Sequence, residues 1–181
     1  MKKLIPLLVL VGAMASHAQD WVVNFNNNVV NDPNHFVTIQ GTTTRVTGTN
    51  LQAVLLYGAN ASSLTANTVP ARFRVSTSAS AGTWQGGDRT LTGMGSTPGT
   101  VIQLRVDVFD INRFANYAAA VAGGGILGSS QVFSYVIPTP PLAPGATDLQ
   151  NFRGFEIVPE PSVIGLGLVG AAALFMLRRR K

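Results

Sequence analysis

The sequence predicts an all-β fold: a single antiparallel β-sandwich with one short helix, followed by a C-terminal transmembrane helix. Three observations carry this expectation. Short β-branched and aromatic runs are punctuated by Gly, Asn and Pro, and long amphipathic stretches are absent. Residues 101–109 alternate cleanly, with Ile102, Leu104, Val106 and Val108 on the face expected to meet a core and Val101, Gln103, Arg105, Asp107 and Phe109 on the other. Residues 163–177 form an apolar run with no polar face.

Residues 1–18 read as a signal peptide. Lys2 and Lys3 precede the apolar residues 4–15, and Ser16-His17-Ala18 supplies the small residues that precede a cleavage position, here between Ala18 and Gln19. Residues 19–157 then read as one exported β-sandwich domain. Strands are expected at 21–25, ended by Asn26-Asn27-Asn28, and at 36–39, ended by Gly41; residues 42–47 are Thr-rich and β-branched. In residues 51–57, Ala53, Leu55 and Tyr57 share one face and Val54 and Leu56 the other, so a central strand with both faces covered is predicted. Residues 69–75 set Arg72 and Arg74 against Phe73 and Val75. Residues 82–87 are a Gly-rich turn carrying Trp84, with a short strand at 89–91. A helix over 113–122 is stopped by Gly123-Gly124-Gly125. Strands at 131–137 and 152–158 close the domain, joined by the Pro-rich crossing 138–144, which no strand interior accommodates.

The full sequence has thirteen Lys and Arg against eight acids, a formal charge of +5. Location removes the implication of a polyanion partner. Between Gln19 and Val158 seven arginines face seven acids and there is no lysine, so the exported domain is formally neutral and no nucleic-acid partner is expected. Cysteine is absent, so this domain must hold itself by its core.

Little in the domain points to catalysis. His35 is the one histidine that remains after signal removal, and no partner beyond nearby Asp32 is in sequence reach. Asp107, Asp110 and Asn112 offer oxygen ligands, but their spacing lacks the glycine and distal glutamate of a calcium loop; strand-end solvation is the simpler reading, and no metal or cofactor is predicted. There is no Gly-x-Ser-x-Gly elbow, and Glu156 and Glu160 are the only glutamates, which leaves a paired-carboxylate glycosidase without residues. Asn60-Ala61-Ser62 matches a glycosylation sequon. Trp84, among glycines in an expected turn, is the candidate ligand contact, because an aromatic face packs on the apolar face of a sugar.

The segment 158–181 is the most specific part of the chain. Pro159-Glu160-Pro161 is followed by Ser162, then the apolar run, then Arg178-Arg179-Arg180-Lys181. The prolines bar a helix from starting earlier, Ser162 suits its first turn, and the four cations are expected on the cytoplasmic side. This order resembles the PEP-CTERM sorting signal of exported bacterial proteins. The resemblance implies an exosortase-type processing enzyme as partner, with Pro159, Glu160 and Pro161 as the recognised motif, and a destination at the cell surface or in the extracellular matrix. More loosely, Leu55-Leu56-Tyr57-Gly58, Ser62-Ser63-Leu64-Thr65, and Gly82-Thr83-Trp84 with Arg89-Thr90-Leu91 are similar to exported proteins of this kind from Verrucomicrobia-like bacteria. The expectation is a non-enzymatic, membrane-tethered surface or matrix protein. A carbohydrate-binding module that meets extracellular polysaccharide is the alternative, and a secreted enzyme is the least supported class.

Overall fold

The computed structural model describes residues 20–28, 34–75, 79–142 and 144–158. They form an all-β fold of ten strands with one short helix. In chain order these are β1 (Trp21–Asn26), β2 (Thr38–Ile39), β3 (Leu51–Gly58), β4 (Thr65–Ala66), β5 (Ala71–Arg72), β6 (Gln85–Leu91), β7 (Val101–Asp110), α1 (Tyr117–Ala122), β8 (Ile126–Ser129), β9 (Phe133–Val136) and β10 (Glu156–Ile157).

The largest sheet is built on the two longest apolar strands. β3 and β7 pair antiparallel over the full length of β3; β4 and β5 join the free edge of β3, and β8 and β9 that of β7. The two-sided apolar pattern of β3 is used as predicted. Ala53, Leu55 and Tyr57 enter the main core with Ile102, Leu104, Val106 and Val108 of β7, while Val54 and Leu56 lie in a second cluster with Phe109 and Ala120 of α1. The outer face of β7 is therefore not solvated throughout: Asp107 and Phe109 are buried.

β1 and β6 form an antiparallel pair that places Val23, Phe25 and Leu91 in the main core. β2 and β10 pair in parallel, so the expectation of a wholly antiparallel arrangement does not hold. These pieces are joined by backbone hydrogen bonds that close a ring around one end of the fold. From β7 the ring passes through β8 to Val158, whose N–H donates to Leu127 O at 2.9 Å, and through β10 to β2. It continues from Val46 N to Val37 O, from Gly82 N to Val46 O, from Arg74 N to Thr83 O and from Phe73 N to Leu51 O, which returns it to β3 and β7. Closure leaves few edge groups unpaired at that end.

Several of the expected strands are shorter than the sequence reading gave them: 36–39, 69–75, 131–137 and 152–158 contract to β2, β5, β9 and β10. Three further differences have a local cause. The helix begins at Tyr117, four residues late, because Asp110 first makes a turn: its carboxylate accepts Asn112 N and its carbonyl accepts Arg113 N. Asn116 then caps the helix by accepting Ala119 N at 2.9 Å, and Gly124 at φ 67° follows its end. The expected turn at 82–87 is a strand from Gln85 onward, because Gly86 has to lie directly against Phe25 and Ala71 with no room for a side chain. Finally, β8 carries no strand signal of its own. It is set by partners on both sides, and a Cβ on Gly128 would stand 2.6 Å from Glu156 O.

Candidate functional site

Pro159, Glu160 and Pro161, the apolar run behind them and the Arg178–Lys181 cluster lie outside the described residues, as do residues 1–19 with the cleavage position. The described strand that feeds the tail is β10. It is held on both sides: Gln40 N donates to Ile157 O at 2.8 Å, Thr38 N to Phe155 O at 3.0 Å, and Val158 N to Leu127 O. Ile157 is buried in the main core and the Glu156 carboxylate accepts Gly41 N. The folded backbone therefore extends to the residue that immediately precedes Pro159. Among the described residues no helix is long and apolar enough to cross a membrane.

Trp84 is not where a ligand contact must be. It is 0% exposed, with ring centroids of Phe25, Phe73 and Phe152 at 5.3, 5.5 and 5.5 Å. The reading of Trp84 as a sugar platform is corrected: the glycines around it permit close backbone approach and do not mark an open loop. Its backbone is fixed by a residue that the sequence presents only as a strand breaker. Asn27 is fully buried; its Oδ1 accepts Trp84 N at 2.7 Å, and its Nδ2 donates to His35 O and Gly82 O at 2.9 and 3.1 Å. No pattern in the sequence singles out Asn27 from its two asparagine neighbours.

His35 is 6% exposed and packs on Phe36, ring centroids 4.0 Å apart. The two aspartates weighed as cation ligands serve different partners. Asp110 accepts Asn112 N and Asn50 Nδ2. Asp107 accepts Nε and Nη2 of Arg105, both at 2.8 Å, and the Tyr117 hydroxyl at 2.6 Å. This second network joins β7 to α1. Burial, reinforced by the hydrogen bond to Asp107, pushes the Tyr117 phenol up to about 12, so it remains a donor across the neutral range. The same carboxylate raises the Arg105 pKa. Among the described residues no group of three His, Asp or Glu is placed to hold a metal ion. Asn60 of the sequon accepts Ser62 N and the hydroxyls of Ser62 and Ser63, which makes it the organiser of the turn after β3.

A cleft of about 480 Å³ opens between the β8–β9 connection and the segment that leads into β10. Arg153 and Phe155 line it from one side, Gln131 and Val132 from the other. The sequence offers a strand over 152–158 but nothing to pair Arg153 with Gln131, which approaches through the fold. Comparison of the chain with protein-family models, with curated proteins and with solved structures finds no match.

Proposed function

We propose that this chain is an exported, membrane-tethered surface or extracellular-matrix protein without enzymatic activity, sorted through Pro159-Glu160-Pro161 by an exosortase-type enzyme. The observation that carries the reading is the order of the tail: motif, membrane-length apolar run, then Arg178, Arg179, Arg180 and Lys181. The signal-peptide pattern of residues 1–18 agrees with export, and the neutral, cysteine-free segment between them suits a self-sufficient ectodomain. In this reading the ectodomain is a β-sandwich: β3, β7 and their neighbours form one layer, β1 and β6 belong to the other, and the main core lies between them. The membrane and the processing enzyme are the partners before maturation, and the cell surface or matrix is the destination after it.

The test replaces Pro159, Glu160 and Pro161 with alanine in a host that processes the parent chain. Unprocessed protein should accumulate in the membrane. If mass spectrometry of the C-terminus finds the mutant matured as completely as the parent, the sorting role is wrong. The carbohydrate-binding alternative loses Trp84 as its contact residue, but the polar cleft beside β10 favours it at another place.

A further inference from the structure

We infer that the cleft between residues 129–133 and 151–155 binds a carboxylate-bearing saccharide, a uronate, with Arg153 as the anion contact. The inference rests on the cleft alone and is independent of the tail-based reading. Both walls are held from beneath. On one side Ser130 is buried: its N–H donates to Val106 O, its Oγ accepts Val106 N and donates to Gln131 O. On the other, Phe152 is buried against Trp84 and Phe133, and Gly154 N donates to Asn34 O at 2.6 Å. The buried residues Ser130 and Phe152 are thus locked, and their neighbours Asn151, Arg153, Gln131 and Val132 are left exposed along the cleft. Asn151 sits at φ 60° and its Nδ2 donates to Ser134 O, which fixes its position further. Preorganised walls of this kind lower the ordering cost of binding.

The lining states the ligand class. Arg153 brings a guanidinium, whose planar fork suits a carboxylate, and no carboxylate lines the cleft beside it. The Arg105 guanidinium, by contrast, is already paired with Asp107. Gln131, Asn151 and Ser129 offer amides and a hydroxyl, which match sugar hydroxyls. Phe155, half-buried and edge-on to Phe152, and Val132 supply apolar surface for a ring face. A neutral sugar would leave the guanidinium without a counter-charge, and a bare small anion would leave the amides and the apolar wall unused.

The experiment titrates the full-length protein in detergent micelles with oligogalacturonate, and in parallel with neutral glucose oligosaccharides of equal length and with acetate. Oligogalacturonate should bind, more weakly as salt rises; Arg153→Gln should lower its affinity roughly ten- to hundredfold, the loss of a charge-assisted contact. Gln131→Ala should give a smaller loss, and Arg72→Gln, on β5 and away from the cleft, none. Unchanged circular dichroism and Tm would show that these exposed substitutions spare the fold. Absence of oligogalacturonate binding, equal binding of the neutral sugar, displacement by acetate at equal concentration, or full affinity in Arg153→Gln would each overturn the assignment.

Discussion

At the scale of single residues, the described fold depends on a few buried polar groups that tie separate segments together. Asn27 is the clearest. Its side chain satisfies Trp84 N, His35 O and Gly82 O inside the core. Asn27→Ala removes three bonds at once and strands buried backbone groups, so a loss of about 2–4 kcal/mol is expected in chemical denaturation. An unchanged midpoint would mean that these groups find other partners. Trp84→Ala should cost a similar 3–5 kcal/mol through the cavity left among three phenylalanines, or prevent folding altogether. Tyr117 makes a prediction about pH. Its phenol has an ordinary value of 10.0 and is pushed up to about 12 in the fold, by burial first and by Asp107 second. Between those values the unfolded chain has released this proton and the folded chain has kept it. The unfolded state then binds fewer protons, and stability falls as pH rises. The contribution is complete below pH 10 and lost as pH passes 12. Tyr117→Phe should flatten this alkaline loss, as read from denaturation midpoints across that range. An identical slope in the mutant would move the titration to another group.

At the scale of elements, β10 is short but holds a position that no other strand fills. It lies between β2 and Leu127, buries Ile157, and closes the ring of backbone hydrogen bonds. A chain that ends at Val158 should therefore fold, whereas one that ends at Arg153 should show broad unfolding and a lowered Tm. Equal Tm values for the two would show that the ring closes without β10. The glycines beside it are constrained in the same way. A Cβ on Gly154 would overlap the Phe36 carbonyl oxygen, and one on Gly128 would crowd Glu156 O, so Gly154→Ala should displace the segment that carries Arg153 into β10 as well as destabilise the domain. The network of Arg105, Asp107 and Tyr117 does for α1 what the ring does for β10. A six-residue helix has little stability of its own, and it is held by an apolar face on Phe109 and by the hydroxyl on Asp107.

At the scale of the whole molecule, the charge arrangement separates the domain from the ends of the chain. The seven arginines of residues 19–158 are matched by seven acids, and several are spent on structure. Arg89 donates to the carbonyls of Val69 and Pro70, Arg45 lies over the Phe36 ring, and Arg105 is paired with Asp107. A protein ending at Val158 and lacking residues 1–18 should show no appreciable DNA binding at physiological salt. Tight binding with a steep salt dependence would instead reveal a basic face formed by the remaining arginines. The absence of a linker on the domain side of Pro159 has a spatial consequence in the proposed setting. The end of the fold built from β2, β8 and β10 would stand next to the membrane and the processing enzyme. A flexible insertion between Val158 and Pro159 should leave Tm unchanged, which separates effects on processing from effects on folding.

The all-β class was readable because β7 alternates with period two along most of its length, and that pattern requires a pleated strand whatever surrounds it. The double-sided apolar pattern of β3 likewise announced its central place. The tail's order is a property of sequence alone, since its meaning lies in the succession of motif, apolar run and cations. Other features had no local cause. β8 is a strand because β7 and Val158 supply its partners, and β10 pairs in parallel because the ring brings it beside β2. Trp84 looked like a loop residue by its glycine neighbours, yet Gly86 lies directly against Phe25 and Ala71, which share the main core with Trp84. Arg153 and Gln131 share a cleft only after Phe152 and Ser130 are buried. Sequence fixes what a segment can bury and in which period; which segments meet is decided by the core they jointly complete, because contacts distant in the chain are formed only when the whole fold closes.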